Sequence, residues 1–165
     1  MEAIDALSAL YEAVGHWDSL LYVLDRKLSL TEDEEEEKAL CFKRAELLLT
    51  QLDRRDEAES TYEHILELDN SNAEALSGLK SIYEVSENWD KMASILHREL
   101  DLMPEDALNV KYELAEVERT KLNHFDEAVG LYADILNEDA NHVATISTLE
   151  SLISEGVERH KLAAI

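Results

Sequence analysis

Cysteine, proline and glycine are scarce in this chain of 165 residues, which contains one cysteine, one proline and four glycines. The single cysteine, Cys41, excludes a disulfide framework within the chain. Because proline and glycine are the main helix breakers and leucine, alanine and glutamate are abundant, the composition favours helix almost throughout. Apolar residues make up 45% of the chain, which is enough to predict a folded protein.

Positive charge is also scarce, since 15 lysines and arginines stand against 38 acidic residues for a net charge of −23. Such a chain repels phosphate groups, so we expect neither nucleic acid nor an anionic membrane surface as a direct partner. The acidity has two interpretations. It is a solubilising surface, or it attracts a basic partner.

Long apolar runs are missing. A helix that spans a membrane needs about 18 apolar residues in a row, and the sequence has no such stretch. The first residues, "MEAIDALSAL", lack the basic start and apolar centre of a secretory signal. We therefore expect a cytoplasmic protein, and a signal outside this segment is left open.

The sequence contains an internal repeat. The stretch "LYEAVGHWDSL" at 10–20 returns as "IYEVSENWDKM" at 82–92. Residues 7–30 and 79–102 align with nine of 24 identities, and residues 42–69 and 112–139 with eleven of 28. A unit of roughly 70 residues therefore occurs twice. Each unit contains two related helical hairpins, one marked by Trp-Asp and the other by Asp-Glu-Ala.

Apolar spacings of three and four residues predict helices in every hairpin. The predicted helices are at about 2–14, 17–30, 32–52, 55–68, 72–86, 88–102, 105–121, 125–137, 141–154 and 158–165. Capping-box patterns place Thr31 with Glu34 and Ser71 with Glu74 at the starts of two of them.

The stretch "RRDEAESTYEHILELDNSNAEAL" at 54–76 resembles the second helix and exit turn of a tetratricopeptide repeat. A small residue followed four positions later by an aromatic is typical of that helix, as in Ala58 with Tyr62 and Ala128 with Tyr132. There are departures from the pattern, because Asn70 replaces the usual proline. Leu20 and Met92 also stand where alanine is expected.

The resemblance implies an all-α fold, an α-α superhelix in which antiparallel helical hairpins stack as a solenoid. We expect one repeat array over residues 1–165 that is a segment of a longer array. Its hairpins are predicted at about 1–30, 31–69, 70–103 and 104–138, with a partial hairpin at 139–165.

Catalytic and metal-binding patterns are missing from the sequence. The four glycines are isolated, so there is no phosphate-binding loop, and the six histidines are scattered. The acidic stretch "TEDEEEEKAL" lacks the alternating ligands and central glycine of a calcium loop. We expect no enzyme activity, no metal and no cofactor, and we interpret Cys41 as a core residue.

The resemblance further implies that a protein or peptide binds on the concave face, which the first helix of each hairpin lines. The candidate partner-binding residues on that face are Glu12, Lys43, Leu47, Gln51, Ser77, Ser81, Glu84, Glu113, Val117 and Thr120. Members of the family that grip a terminal carboxylate need basic and amide companions, where this chain has Leu47 and Gln51. A basic or amphipathic segment therefore fits this face better.

We predict a non-catalytic protein–protein interaction scaffold. One alternative is a structural module that self-associates by stacking its open end hairpins, and another is a regulatory segment of a larger protein. Trp17 and Trp89 are interpreted as packing residues, with surface recognition as the alternative.

Overall fold

The computed structural model describes residues 2–102 and 107–155, and the regular secondary structure in these ranges is helical throughout. The helices are α1 Glu2–Val14, α2 Trp17–Leu28, α3 Glu34–Thr50, α4 Arg55–Leu68, α5 Ala73–Val85, α6 Trp89–Leu102, α7 Ala107–Val117, α8 Phe125–Glu138 and α9 Val143–Glu155. The helix predicted at 158–165 lies outside the described residues.

The ends of eight of these helices fall within two residues of the predicted ends, and α7 is the exception. Its predicted start at 105 lies outside the described residues. At its other end, α-helical geometry stops at Val117, and one π-helical turn, Glu118–Leu122, continues the helix. This wider turn ends at Asn123, whose backbone is left-handed.

The two predicted capping boxes are wrong by one or two residues. The side chain of Asp33, not Thr31, accepts the N–H of Glu36 at 2.8 Å. Helix α3 therefore begins at Glu34, and four glutamates occupy its first turn, where the helix dipole favours negative charge. Ahead of α5, the Oδ1 atom of Asn72, rather than the hydroxyl of Ser71, accepts an N–H, from Ala75 at 3.1 Å.

Within the described residues, the turns that precede α2, α4, α6 and α8 each pass through one residue with left-handed backbone. These residues are Gly15, Asp53, Glu87 and Asn123, with φ angles of 70°, 52°, 53° and 59°. Glycine adopts this conformation without steric cost, whereas a residue with a Cβ is strained there. Asn and Asp tolerate it best after glycine, so among these four residues Glu87 is the one whose type least favours the turn.

The chain divides into two compact units, and the first is Met1–Ile82. In this unit Ala45 of α3 and Ala58 of α4 are both fully buried, so the two helices approach closely. Leu48 of α3 and Ile65 of α4 are also fully buried, and each such side chain contributes about 1.5–3 kcal/mol. Arg44 of α3 joins this pair to α2, because its Nε donates to Asp25 at 2.8 Å.

The second unit is Tyr83–Ile165. Its core includes the matching alanines, Ala115 and Ala128, and the fully buried Tyr132. The Tyr132 hydroxyl donates to a carboxylate oxygen of Glu116 and accepts from Arg119 Nε at 3.2 Å. Burial, and then the hydrogen bond to Glu116, raise the pKa of Tyr132 far above its ordinary value. The phenol therefore stays protonated and keeps this buried network connected.

Helices α4 and α5 approach closely at Gly78. A Cβ placed on Gly78 would lie 2.5 Å from a ring carbon of Tyr62, so the absence of a side chain allows the ring to lie against the helix. Tyr62 is also held by Phe42, whose ring packs edge-on at a centroid distance of 6.2 Å.

We expect Gly78→Ala and Gly130→Ala to change stability in opposite directions. Both glycines are helical, so alanine gains about 0.5–1 kcal/mol of helix preference at either position. A Cβ at Gly130 meets nothing within 4 Å, whereas at Gly78 it overpacks Tyr62, which costs about 1–3 kcal/mol. Urea unfolding followed by circular dichroism measures the difference between the two variants.

A Tyr62→Ala background provides the control for this comparison. The cost of Gly78→Ala should disappear there, because the clash requires both the added Cβ and the Tyr62 ring. If Gly78→Ala were as stabilising as Gly130→Ala in the parent chain, the close approach would be contradicted.

Candidate functional site

A cavity of about 310 Å³ opens between α1, α2 and α3 in the first unit. Helices α1 and α3 are the first helices of successive hairpins, and α2 lies between them along the chain. The residues that line the cavity are Ser8, Glu12, Trp17, Leu20, Leu24, Lys27, Leu40, Lys43, Glu46, Leu47, Thr50 and Gln51.

The floor of the cavity is apolar. Four of its leucines are buried, namely Leu20, Leu24, Leu40 and Leu47. Trp17, Leu20 and Leu24 share one face of α2, since residues three, four and seven apart lie on one side of a helix. The half-buried Trp17 indole closes one end, against the turn at Gly15, where a Cβ would lie 3.7 Å from the ring.

The helices around the cavity run antiparallel, which two sets of ion pairs show. Lys27 near the end of α2 pairs with Asp5 near the start of α1. Asp25 of α2 lies 2.8 Å from Arg44 of α3, and Asp18 lies 3.8 Å from Arg54, beyond the end of α3. Glu12, Trp17 and Gln51 therefore lie at one end of the cavity, and Lys27 and Lys43 lie at the other.

Charge follows the same direction along the cavity. The exposed carboxylates of Glu12 and Glu46 lie on the rim towards the Trp17 end. At the opposite end, the hydrogen bond from Lys27 lowers the pKa of Asp5, and the charge of Lys43 lowers it further. The cavity thus has an acidic rim on the tryptophan side and one cation without a described ion pair, Lys43, towards the other, above one apolar floor.

Four of the ten predicted partner-binding residues meet in this cavity, and they are Glu12, Lys43, Leu47 and Gln51. Glu12, Lys43 and Gln51 are exposed on the rim, whereas Leu47 is 6% exposed and belongs to the floor.

The other six predicted residues do not line this cavity. Ser77, Ser81 and Glu84 are exposed on α5. Glu113 is half-buried, and Val117 is packed in the second unit at 8% exposure. Thr120 is exposed, and its hydroxyl donates to the carbonyl oxygen of Glu116 at 2.6 Å. Their role in binding stays a prediction.

Sequence reasoning missed the contribution of α2 to the cavity. Trp17, Leu24 and Lys27 line it, but Trp17 was interpreted as a packing residue and the other two were not considered as binding residues. A signal was present, because Trp17 and Leu24 recur as Trp89 and Leu96 in the second copy. Recurrence alone does not separate a core residue from one that lines a binding cavity.

Three further features of the described part of the chain are metal-binding clusters, the thiol of Cys41 and the length of its helices. Among residues 2–102 and 107–155, no group of three or more histidine, cysteine or acidic side chains could hold a metal ion. Cys41 is 2% exposed, and burial raises the pKa of its thiol, which makes the reactive thiolate scarce. No described helix is both long enough and apolar enough to cross a membrane.

The family model of the tetratricopeptide repeat matches residues 3–38. Two solved structures with similar folds are MamA and YrrB, the latter described as a TPR protein with an unusual peptide-binding site. MamA is 15% identical with a TM-score of 0.56, over 96% of this chain and 89% of its own. YrrB is 16% identical with a TM-score of 0.55, over 94% of this chain and 77% of its own. No curated protein matches the chain significantly in sequence.

The resemblance to the tetratricopeptide repeat family is confirmed, and so is the predicted all-α fold class of helical hairpins. The matched repeat, residues 3–38, takes in α1 and α2, two of the three helices that surround the cavity.

The positions of Lys43 and Leu47 predict different effects on stability when each is replaced by glutamate. Lys43→Glu changes an exposed rim residue, so we expect a change within about 0.5 kcal/mol. Leu47→Glu places a carboxylate on the buried floor without a partner, so we expect a loss of about 3 kcal/mol or more. Urea unfolding of the two single variants checks this difference. Equal effects would mean that Leu47 does not belong to the floor.

Proposed function

We propose that this chain is a non-catalytic protein-interaction scaffold, and that the cavity between α1, α2 and α3 binds an amphipathic, basic segment of a partner protein. The observation that carries the proposal is the leucine floor with an acidic rim towards one end. The tetratricopeptide repeat fold supports it, because one neighbour in that fold, YrrB, is a peptide-binding protein.

The apolar floor favours a segment that inserts an apolar side chain. A volume of about 310 Å³ is at the lower end of the range of small-ligand sites, roughly 300–1,000 Å³, so we expect one or two side chains to enter. Burying them removes apolar area from water, which is the main source of affinity in such a groove.

The charges favour a basic segment over a terminal carboxylate. Lys27 is paired with Asp5, which leaves Lys43 as the principal cation of the cavity for an anionic group. Glu12 and Glu46 favour cations, and the net charge of −23 attracts basic partners at long range. The absence of nucleic acid and membrane partners, and the cytoplasmic location, stay predictions from the sequence.

Binding of a designed peptide tests the proposal. The probe is a fluorescein-labelled 14-residue peptide with leucines on one helical face and lysines on the other. A peptide of the same composition with the leucines scattered serves as the comparison. We expect the amphipathic peptide to bind more tightly, and to bind more weakly as salt rises from 50 to 200 mM, by fluorescence anisotropy.

Two matched charge variants locate the binding. Glu12→Lys with Glu46→Lys reverses the acidic rim, so we expect affinity to fall about tenfold or more. Glu32→Lys with Asp134→Lys changes the net charge by the same amount at exposed positions that do not line the cavity, and should change affinity less than threefold. If the two pairs weaken binding equally, the peptide is held by general charge, and the cavity is not the site.

Self-association is a second candidate function, which an exposed apolar surface on the first hairpin favours. Leu7 and Leu10 of α1 are 38% and 56% exposed, whereas their counterparts Leu79 and Ile82 of α5 are 0% and 5% exposed. Tyr22 of α2, at 72% exposure, extends this surface. The same helix face is therefore covered in one copy of the repeat and uncovered in the other.

Sedimentation velocity between about 5 and 500 μM measures self-association. If the α1 surface joins copies, the parent chain should form dimers or larger species with rising concentration. Leu10→Glu should then shift the equilibrium towards monomer by tenfold or more, because it places a charge in an apolar contact. A matched change, Ala39→Glu, alters an exposed residue of α3 and should have little effect. A parent chain that stays monomeric throughout excludes this role.

A further inference from the structure

The two copies of the repeat differ at one aromatic position. In the second unit, the ammonium of Lys121 lies over the indole of Trp89, with Nζ 4.5 Å from the ring centroid. In the first unit, the counterparts of these residues are Trp17 and Gln51, by the alignments of 7–30 with 79–102 and 42–69 with 112–139. Trp17 and Gln51 line the same cavity, and the first copy has an amide where the second has the ammonium of Lys121.

A second cation is missing from the first copy in the same region. Glu116 is paired with Arg119 at 2.6 Å in the second unit, and it also accepts from Tyr132. The counterparts in the first unit are Glu46 and Leu49. The second copy therefore supplies its own cations to its tryptophan and its glutamate. The first copy has Gln51 and Leu49 at those positions.

The open tryptophan in the first unit has the electrostatic environment of a cation site. The rim carboxylates of Glu12 and Glu46 lie on that side of the cavity, and among the described residues neither forms an ion pair. A cation over an indole gains about 0.5–1 kcal/mol when exposed, and about 2 or more when desolvated. The amide of Gln51 is turned towards its neighbour, with Nε2 3.4 Å from the hydroxyl of Thr50.

We propose that the Trp17 end of the cavity is a subsite for one lysine side chain of the bound segment. The ammonium stacks on Trp17 and faces Glu12 and Glu46, in the position that Lys121 takes over Trp89. This subsite rests on the proposed function, because it belongs to the same cavity. Lys43 towards the opposite end repels a second cation there, so the subsite also sets the direction in which the segment lies.

The lysine preference of the parent chain is the first measurement. Two probes are used, a labelled 14-residue amphipathic peptide with one lysine in its centre and a twin with norleucine at that position. Norleucine keeps the alkyl chain and removes the ammonium. By fluorescence anisotropy, we expect the lysine peptide to bind about tenfold more tightly, which corresponds to about 1.4 kcal/mol.

Gln51→Lys gives the first unit the lysine that the second unit has at position 121. Its ammonium should occupy the subsite and exclude the lysine of the peptide. We expect it to weaken binding of the lysine peptide about tenfold and to leave binding of the norleucine twin within threefold. Asn70→Lys adds the same charge at an exposed position that does not line the cavity, and should leave both peptides within threefold. Gln51 is the exposed residue that caps the end of α3, where the helix dipole favours a cation, so the lysine variant is expected to fold.

Trp17→Leu separates stacking on the ring from attraction to the carboxylates. Leucine keeps an apolar side chain and removes the π face, so the preference for lysine should fall to threefold or less. Circular dichroism and the urea midpoint report whether this variant folds. Gln51→Lys tests the subsite without changing the indole.

The outcomes separate the subsite from the proposed function. If both peptides bind the parent equally and Gln51→Lys changes neither, the subsite is wrong while the binding role of the cavity stands. A lysine preference that survives Trp17→Leu also overturns the subsite, because the carboxylates alone would explain it. If neither peptide binds the parent, the proposed function fails and the subsite fails with it.

Discussion

Close contact between paired helices at small residues is the constraint on which the rest of each unit depends. Ala45 and Ala58 are both fully buried in the first unit, and Ala115 and Ala128 belong to one core cluster in the second. Because these side chains are small, the helix backbones approach, and the larger apolar residues are displaced to either side of the contact. In the first unit, some of those leucines form the floor of the cavity between α1, α2 and α3.

The two copies share this packing and differ in how they use charge. In the first unit the buried side of α3 carries Arg44, which bonds to Asp25 of α2 and to the hydroxyl of Thr61 in α4. Its counterpart in the second unit is the fully buried Leu114. The second unit places its arginine at position 119 instead, beside Tyr132 and Glu116. The two copies thus hold a half-buried arginine at different positions of the same helix of the repeat.

Helix positions were predictable because each helix carries its own apolar periodicity, and the tetratricopeptide resemblance correctly gave the hairpin fold. The same resemblance grouped the rim residues Glu12, Lys43 and Gln51, because it implies that the first helix of each hairpin lines one face. Residues of α2 were missed because contact between helices is not encoded in the period of either one.

The caps were missed for a different reason. Thr31 and Asp33 are both good cap residues, and the choice depends on where packing lets the helix start.

The left-handed turns have a consequence for the order in which the chain folds. A turn that costs backbone strain forms readily only when tertiary packing already holds its flanking helices. Gly15 closes the first hairpin without that cost, whereas Glu87, with a φ of 53°, closes the third against it. We therefore expect the turn at Gly15 to form early and locally, and the turn at Glu87 to form late. The path from chain to fold would then be polarised from the N-terminus, although the two halves share one repeated pattern.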